Sequence, residues 1–355
     1  LFGIVPAALV GVNIAELLHR AEKETKESMK DYEANSAIQL GVITGSLAQK
    51  GEDKLTFITS PQLKYFGAWV EQLIAESTGK FGKGILPVDL EELLSPDDYT
   101  NDRVFVYWKL KGDSTHNELV KKLEKKNFPV ITIELNDLYD LGREYFRWEF
   151  ATSVMGWVLG IQPFDQPNVE SAKVLAREMI KEYNNKGTLP PLVSTFEENG
   201  IKVTGDLKLG NVKDALNEFL SQIERSKSYV TIQAYLKPGV QTTNNLHSIR
   251  TSIQKKYSVA TTAGYGPRFL HSTGQLHKGD AGNGLFIQFI DEPMNEINIP
   301  DEAGIEKSSL TFKTLVSAQA LGDRGALLDN KRKAITFDLG KEVEQSLKHI
   351  EAVLK

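Results

Sequence analysis

The sequence predicts an α/β fold in which helices cover mostly parallel, doubly wound sheets. Short β-branched runs alternate with longer helical runs, the pattern of strands joined by crossover helices. The composition, 41% hydrophobic and 25% charged over 355 residues, is that of an ordinary globular protein and excludes disorder, collagen-like repeats and coiled coil. At ~100–200 residues per domain, the length calls for two domains or one large layered structure.

Taken in order, the chain opens on an apolar run, residues 1–12, read as a buried helix. No basic segment precedes it, no small-residue cleavage site follows it, and it is shorter than the ~20 residues of a membrane span. Residues 13–32 continue as an amphipathic helix with Ile14, Leu17 and Leu18 on one face. Strands are expected at 54–59, 84–88, 104–110 and 129–135, with helices at 62–77, 115–126, 138–160 and 168–184. Residues 185–211 break this rhythm with Gly187, Pro190 and Pro191, and Asn199-Gly200 between short strand-like runs signals a hairpin. Beyond it, strands are expected at 229–235, 259–264, 284–290 and 334–338, and helices at 212–224, 244–257, 308–328 and 341–354. No internal repeat and no low-complexity tract is found.

The chain has no cysteine, which excludes disulfides, thiolate metal sites and cysteine nucleophiles and fits a reducing, cytoplasmic compartment. Its net charge is −5 with Lys and Arg dispersed, so nucleic acid is not an expected partner, nor is a membrane. His19, His116, His247 and His349 have no second histidine at ligand spacing, so no metal site is expected. A GxGxxG loop is absent, which disfavours a nicotinamide cofactor.

Three stretches combine polar and small residues in ways that suit chemistry, and a fourth, 47–54, reads as a structural turn. In 71–80, Gln72 and Glu76 share a helix face, and Glu76 stands beside Ser77, Thr78 and Gly79. A ligand-facing carboxylate and a solvated one before a C-cap glycine both fit. In 160–173, a Pro-rich turn places Gln166 ahead of a helix that carries Lys173; Asp165 as a simple N-cap and Lys173 as a surface lysine fit equally. In 264–279, Arg268, His271 and His277 follow a predicted strand, where open α/β sheets bind ligands, and an imidazole moves protons near neutral pH.

Together these stretches resemble glucose-6-phosphate isomerases, and most closely the isomerase half of bacterial transaldolase/phosphoglucose isomerase fusions. The resemblance covers the whole chain, from Phe2-Gly3-Ile4-Val5-Pro6-Ala7-Ala8-Leu9 through Glu76-Ser77-Thr78-Gly79-Lys80, and is most specific at Phe164-Asp165-Gln166-Pro167-Asn168-Val169-Glu170-Ser171-Ala172-Lys173. That stretch resembles the FDQxGVExxK signature, with Asn168 in place of the usual glycine, a change expected to tighten the helix start.

The resemblance implies a sugar-isomerase (SIS) fold and metal-free, cofactor-free interconversion of glucose 6-phosphate and fructose 6-phosphate. A glutamate shuttles the proton between C1 and C2 through a cis-enediol, while a histidine and a lysine open the ring. Glu76 matches the glutamate, Lys173 the signature lysine, Gln72 a helix neighbour near substrate and Gln166 a phosphate contact. Ser77, Thr78 and Arg268 join the expected substrate contacts. The family's histidine lies between glutamate and lysine in a GQHSFYQLIHQG-like stretch; here the similar stretch follows Lys173, so His271 takes the role, with His277 and then His116 as fallbacks.

The resemblance further divides the chain into a helical remnant of a first SIS domain (1–35), an SIS-type part carrying Glu76 and Lys173 (36–184), an insertion with hairpin and helix (185–228) and a part completing the second SIS domain (229–355). It implies a homodimer, a hexose 6-phosphate as substrate, and an N-terminal half bearing the phosphate loops that this chain lacks. The rival reading is a non-catalytic SIS-type module that binds a sugar phosphate or serves a structural role.

Overall fold

The computed structural model describes residues 3–29, 32–208, 210–292 and 296–355. The chain forms two units: unit 1 runs to Thr78 and includes Gly84–Pro96 and Asn101–Asp165, and unit 2 comprises Gly79–Lys83, Asp97–Thr100 and Gln166–Lys355.

Unit 1 contains α1 (Ile4–Leu9), α2 (Ile14–Ser28), α3 (Ser36–Gln49), β1 (Lys54–Thr59), α4 (Phe66–Thr78), β2 (Leu86–Val88), β3 (Arg103–Leu110), α5 (Asn117–Lys125), β4 (Val130–Leu135) and α6 (Leu141–Leu159). Its four strands form a parallel sheet in the order β2-β1-β3-β4. Strand β3 is buried from Arg103 to Trp108, as expected of a parallel strand covered on both faces. The charges this burial encloses are paired: Arg103 meets Glu91 at 2.6 Å, both side chains 1% exposed, and Lys54 lies 3.7 Å from Asp102.

Two N-terminal expectations need correction. The apolar run does form helix α1, but none of its residues is fully buried, and Leu9 is 83% exposed. Leu1 and Phe2 lie outside the described residues. Helix α3 has no counterpart in the sequence expectations because, apart from Leu40, it buries only small residues, Ala37, Gly41, Thr44 and Gly45. Asn35 starts it by accepting from the N–H groups of Ala37 and Ile38, both at 3.0 Å.

Unit 2 contains α7 (Val169–Lys186), β5 (Phe196–Glu198), β6 (Ile201–Thr204), α8 (Val212–Leu220), β7 (Tyr229–Tyr235), α9 (Val240–Tyr257), β8 (Ala260–Tyr265), α10 (Ser272–Gly279), β9 (Gly284–Ile290), β10 (Asn298–Ile299), β11 (Leu310–Thr311), α11 (Phe312–Asp329), β12 (Lys333–Asp338) and α12 (Val343–Leu354). Its six-stranded sheet has the order β5-β6-β12-β9-β7-β8. Strands β12, β9, β7 and β8 are mutually parallel, and the hairpin β5–β6 adds on antiparallel to β12. The hairpin turns at Asn199-Gly200, both with positive φ, as the Asn-Gly signal requires. Residues 185–211 thus lie within unit 2, and the break between units falls at Asp165/Gln166.

Each parallel sheet has the same winding. The second strand in chain order lies on one side of the first (β2 beside β1, β8 beside β7), and the third lies on the other side (β3 and β9). The direction of winding therefore reverses between β1 and β3 and again between β7 and β9, which opens a crevice at the strands' carboxyl ends.

Candidate functional site

Two of the stretches singled out in the sequence, 160–173 and 264–279, meet in unit 2 around Gln275, together with the Gly79–Lys83 segment. Helix α10, Ser272–Gly279, has no counterpart among the helices expected from the sequence, and every one of its residues is buried. Burying so many polar side chains requires partners for them. Gln275, 0% exposed, donates from Nε2 to the Gly79 carbonyl at 2.8 Å and to Asn168 Oδ1 at 2.9 Å. Its Oε1 accepts the Asn168 N–H at 2.9 Å. One amide thus joins the segment after α4, the start of α7 and α10.

The junction is closed by backbone contact. A Cβ on Gly279 would lie 2.2 Å from the Gly79 carbonyl oxygen, and one on Gly79 would lie 2.2 Å from Leu276 Cα, so both positions require glycine. The Gly82 N–H donates to Gly279 O at 2.9 Å. Asn168 is the N-cap residue of α7 but makes no side-chain cap bond. The residue that stands where the signature has glycine supplies the partner of Gln275.

The rest of α10 is held from below. Lys278 Nζ pairs with Asp323 at 2.6 Å, their side chains 1% and 0% exposed, and donates to Phe269 O at 3.2 Å. Arg332 donates to the carbonyls of His277, Lys278 and Asp280 at 3.0, 2.6 and 2.8 Å, a cation at the helix C-terminus where the dipole favours one. Beneath Lys278, burial and the Asp323 carboxylate push the Tyr235 phenol well above its ordinary pKa.

His271 occupies the N-cap position of α10 and is exposed, its N–H donating to Arg268 O at 3.1 Å and its carbonyl accepting from Gln275 at 3.2 Å. The backbone of the imidazole is fixed while the ring faces solvent. Arg268 lies in the preceding 3-10 turn, half-buried. Lys173, also half-buried, sits on α7 next to Ala172, which packs against Leu270 and Ala326. A Cβ on Gly322 would lie 2.7 Å from Ala176 N, so α7 and α11 pack backbone to backbone. Lys173, Arg268 and His271 therefore stand on elements packed together in unit 2, with Gln166 exposed in the turn before α7.

The other expected residues belong to unit 1. Gln72 is exposed and Glu76 and Ser77 half-buried in the last turns of α4. Thr78, expected as a substrate contact, is fully buried; its hydroxyl donates to Ile74 O at 2.7 Å and accepts from Ile85 N at 3.1 Å, so it ties the helix end to the next segment. The fallback His277 is a core histidine, 2% exposed, with Phe269 and Phe286 ring centroids 5.9 and 5.0 Å away and Gln233 Nε2 3.4 Å from Nδ1. Burial, with Lys278, Arg332 and Arg268 nearby, holds its pKa well below the ordinary value. The weaker fallback, His116, sits in unit 1 ahead of α5, its ring 6.2 Å from Tyr107.

Among the described residues no group of three or more His, Cys, Asp or Glu could hold a metal ion, and no helix is long and apolar enough to cross a membrane. Gln275 lies within the stretch 264–279 but carries no sequence motif of its own; an amide in a segment too polar to be buried unaided is the signal that marks it.

Comparison with known proteins returns glucose-6-phosphate isomerases. The chain is 28% identical over 211 residues to the enzyme of Clostridium tetani and 30% identical over 212 residues to that of Bacillus anthracis, each match covering 48% of this chain and 47% of the relative. The chain spans about half the length of the curated relatives it matches. No family model matches it. Among solved structures, a hypothetical protein from Thermus thermophilus aligns over 99% of this chain and 90% of its own at 14% identity and a TM-score of 0.34. The C-terminal domain of glucosamine-fructose-6-phosphate aminotransferase from Francisella tularensis aligns over 96% and 93% at 6% identity and a TM-score of 0.25.

Proposed function

We propose that this chain carries the proton-transfer groups of a sugar-phosphate isomerase that interconverts glucose 6-phosphate and fructose 6-phosphate. The observation that carries the reading is the 28–30% identity to glucose-6-phosphate isomerases over 211–212 residues. The Gln275 junction supports it, because it joins the segment bearing Lys173 to the segment bearing His271.

In this reading Glu76 is the general base that removes the proton from C2 of the open-chain aldose and returns it to C1. Lys173 and His271 serve ring opening by moving the proton between the ring oxygen and the C1 hydroxyl. Gln72, Gln166, Ser77 and Arg268 contact the substrate. An aldose–ketose proton transfer needs one positioned base and donors aimed at the developing oxyanion.

The test is steady-state isomerisation by the protein carrying this chain. Glu76→Gln keeps size and hydrogen bonding but removes the base, and is expected to lower kcat by ~10²–10⁴-fold with little change in KM. Activity retained in Glu76→Gln contradicts the assignment. Saturable binding of fructose 6-phosphate without turnover by the unaltered protein would favour the non-catalytic module instead.

A further inference from the structure

The winding of unit 2 creates a further place for a ligand, lined by none of the residues assigned above. A cavity of about 230 Å³ opens at the carboxyl ends of β7, β9 and β12. Its floor includes Tyr235, the last residue of β7, and Ile290, the last of β9. These are the strands between which the direction of winding reverses, the crevice where open α/β sheets hold their ligands.

The lining has a definite chemistry. Asp291, Glu292 and Asp338 contribute three carboxylates, and Lys313 contributes one ammonium, which is already 3.6 Å from Glu296. Leu189, Leu192, Val316 and Leu321 supply an aliphatic wall. The Tyr235 phenol, 2% exposed, is buried beside the Asp323 carboxylate at the base of the cavity. An excess of carboxylates beside an aliphatic wall suits an organic cation, and the absence of a metal-holding group among the described residues argues for an ammonium over a divalent ion.

We propose that this cavity binds a small organic cation, a primary ammonium on a short aliphatic body, with the ammonium between Asp291 and Asp338 and the carbon chain against the leucines. The site stands whether or not the chain isomerises a sugar phosphate. Burial and the neighbouring Asp338 raise the Asp291 carboxyl to about 6, Lys313 opposing them. An ammonium favours the ionised carboxylate, so binding weakens as pH falls through that value.

Calorimetric titration of the full chain with 1,4-diaminobutane tests this, with 1,4-butanediol as the uncharged probe of equal length. The expected result is saturable one-to-one binding of the diamine that is at least about tenfold weaker for the diol, for Asp338→Asn and for the diamine at about pH 5 compared with about pH 7.5. Ser317→Leu, which fills the cavity and leaves its charges in place, should also abolish binding; it keeps the test intact if Asp338→Asn fails to fold. No saturable heat up to about 10 mM diamine, or equal binding by the parent chain and the folded variants, overturns the proposal.

Discussion

The two parallel sheets share a strand order and differ in what fills the crevice. In unit 1 the space between the ends of β1 and β3 is occupied by protein. The Ser60 hydroxyl donates to Asp113 and accepts the Leu110 N–H at 2.9 Å, and Asp113 also accepts from the Thr115 N–H and hydroxyl at 3.0 and 2.5 Å. In unit 2 the corresponding place, between β7 and β9, is a cavity. The same residue type responds in opposite directions. Hydrogen bonds from Ser60 and Thr115 hold Asp113 down to about 2, whereas burial and a second carboxylate lift Asp291 to about 6. Winding provides a crevice in both units; the residues on the following loops decide whether it is plugged or open.

The largest expected effects come from breaking a buried ion pair in each unit. Asp323→Ala in unit 2 leaves Lys278 charged and enclosed, and Glu91→Ala in unit 1 does the same to Arg103. Each should cost ~3–5 kcal/mol in urea unfolding, the usual result of breaking a buried pair from one side. A loss below ~1 kcal/mol in either would show that water reaches that pair.

Next comes the junction. Gln275→Leu removes three hydrogen bonds and strands the Gly79 carbonyl and both Asn168 groups, at an expected ~2–3 kcal/mol. Asn168→Gly, which restores the residue of the signature, should cost less, since Gln275 keeps its bond to Gly79. A double-mutant cycle should show a coupling of ~1 kcal/mol; additive losses would mean that the two residues do not act together.

The smallest effects lie in pH dependence and run in opposite directions. Asp113 is depressed in the folded chain, so its contribution is present above the unfolded value of ~4 and fades as pH falls toward ~2; Asp113→Asn should destabilise at neutral pH and become neutral in acid. Asp291 is raised, so the fold holds its proton more tightly than the unfolded chain does, and stability falls as pH rises from ~4 to ~6. Asp291→Asn should therefore be more stable than the parent at pH above ~6 and equal to it below ~4. Melting curves across pH measure both, and curves that move the same way would break the contrast.

The strands were the most legible part of the fold. β1, β7 and β9 occupy 54–59, 229–235 and 284–290, as expected, because β-branched and aromatic residues dominate these short runs and polar turns bound them. Helices that bury small or polar residues were not legible. α3 packs through Gly and Thr, and α10 depends on Gln275, Lys278 and Arg332 for partners that lie far along the chain. The stretches with chemistry were visible, but not the bond between them, since Asn168 and Gln275 are 107 residues apart and no periodicity reports such a contact. The cavity was invisible for the same reason: its walls come from the loop after α7, the ends of three strands and α11.

The most direct test of the proposed chemistry is solvent exchange. Fructose 6-phosphate incubated in D₂O with the protein carrying this chain should yield glucose 6-phosphate labelled at C2, read by proton NMR, and Glu76→Gln should abolish the labelling while still binding the sugar phosphate. Labelling at the parent rate in Glu76→Gln would contradict the assignment of Glu76 as the base.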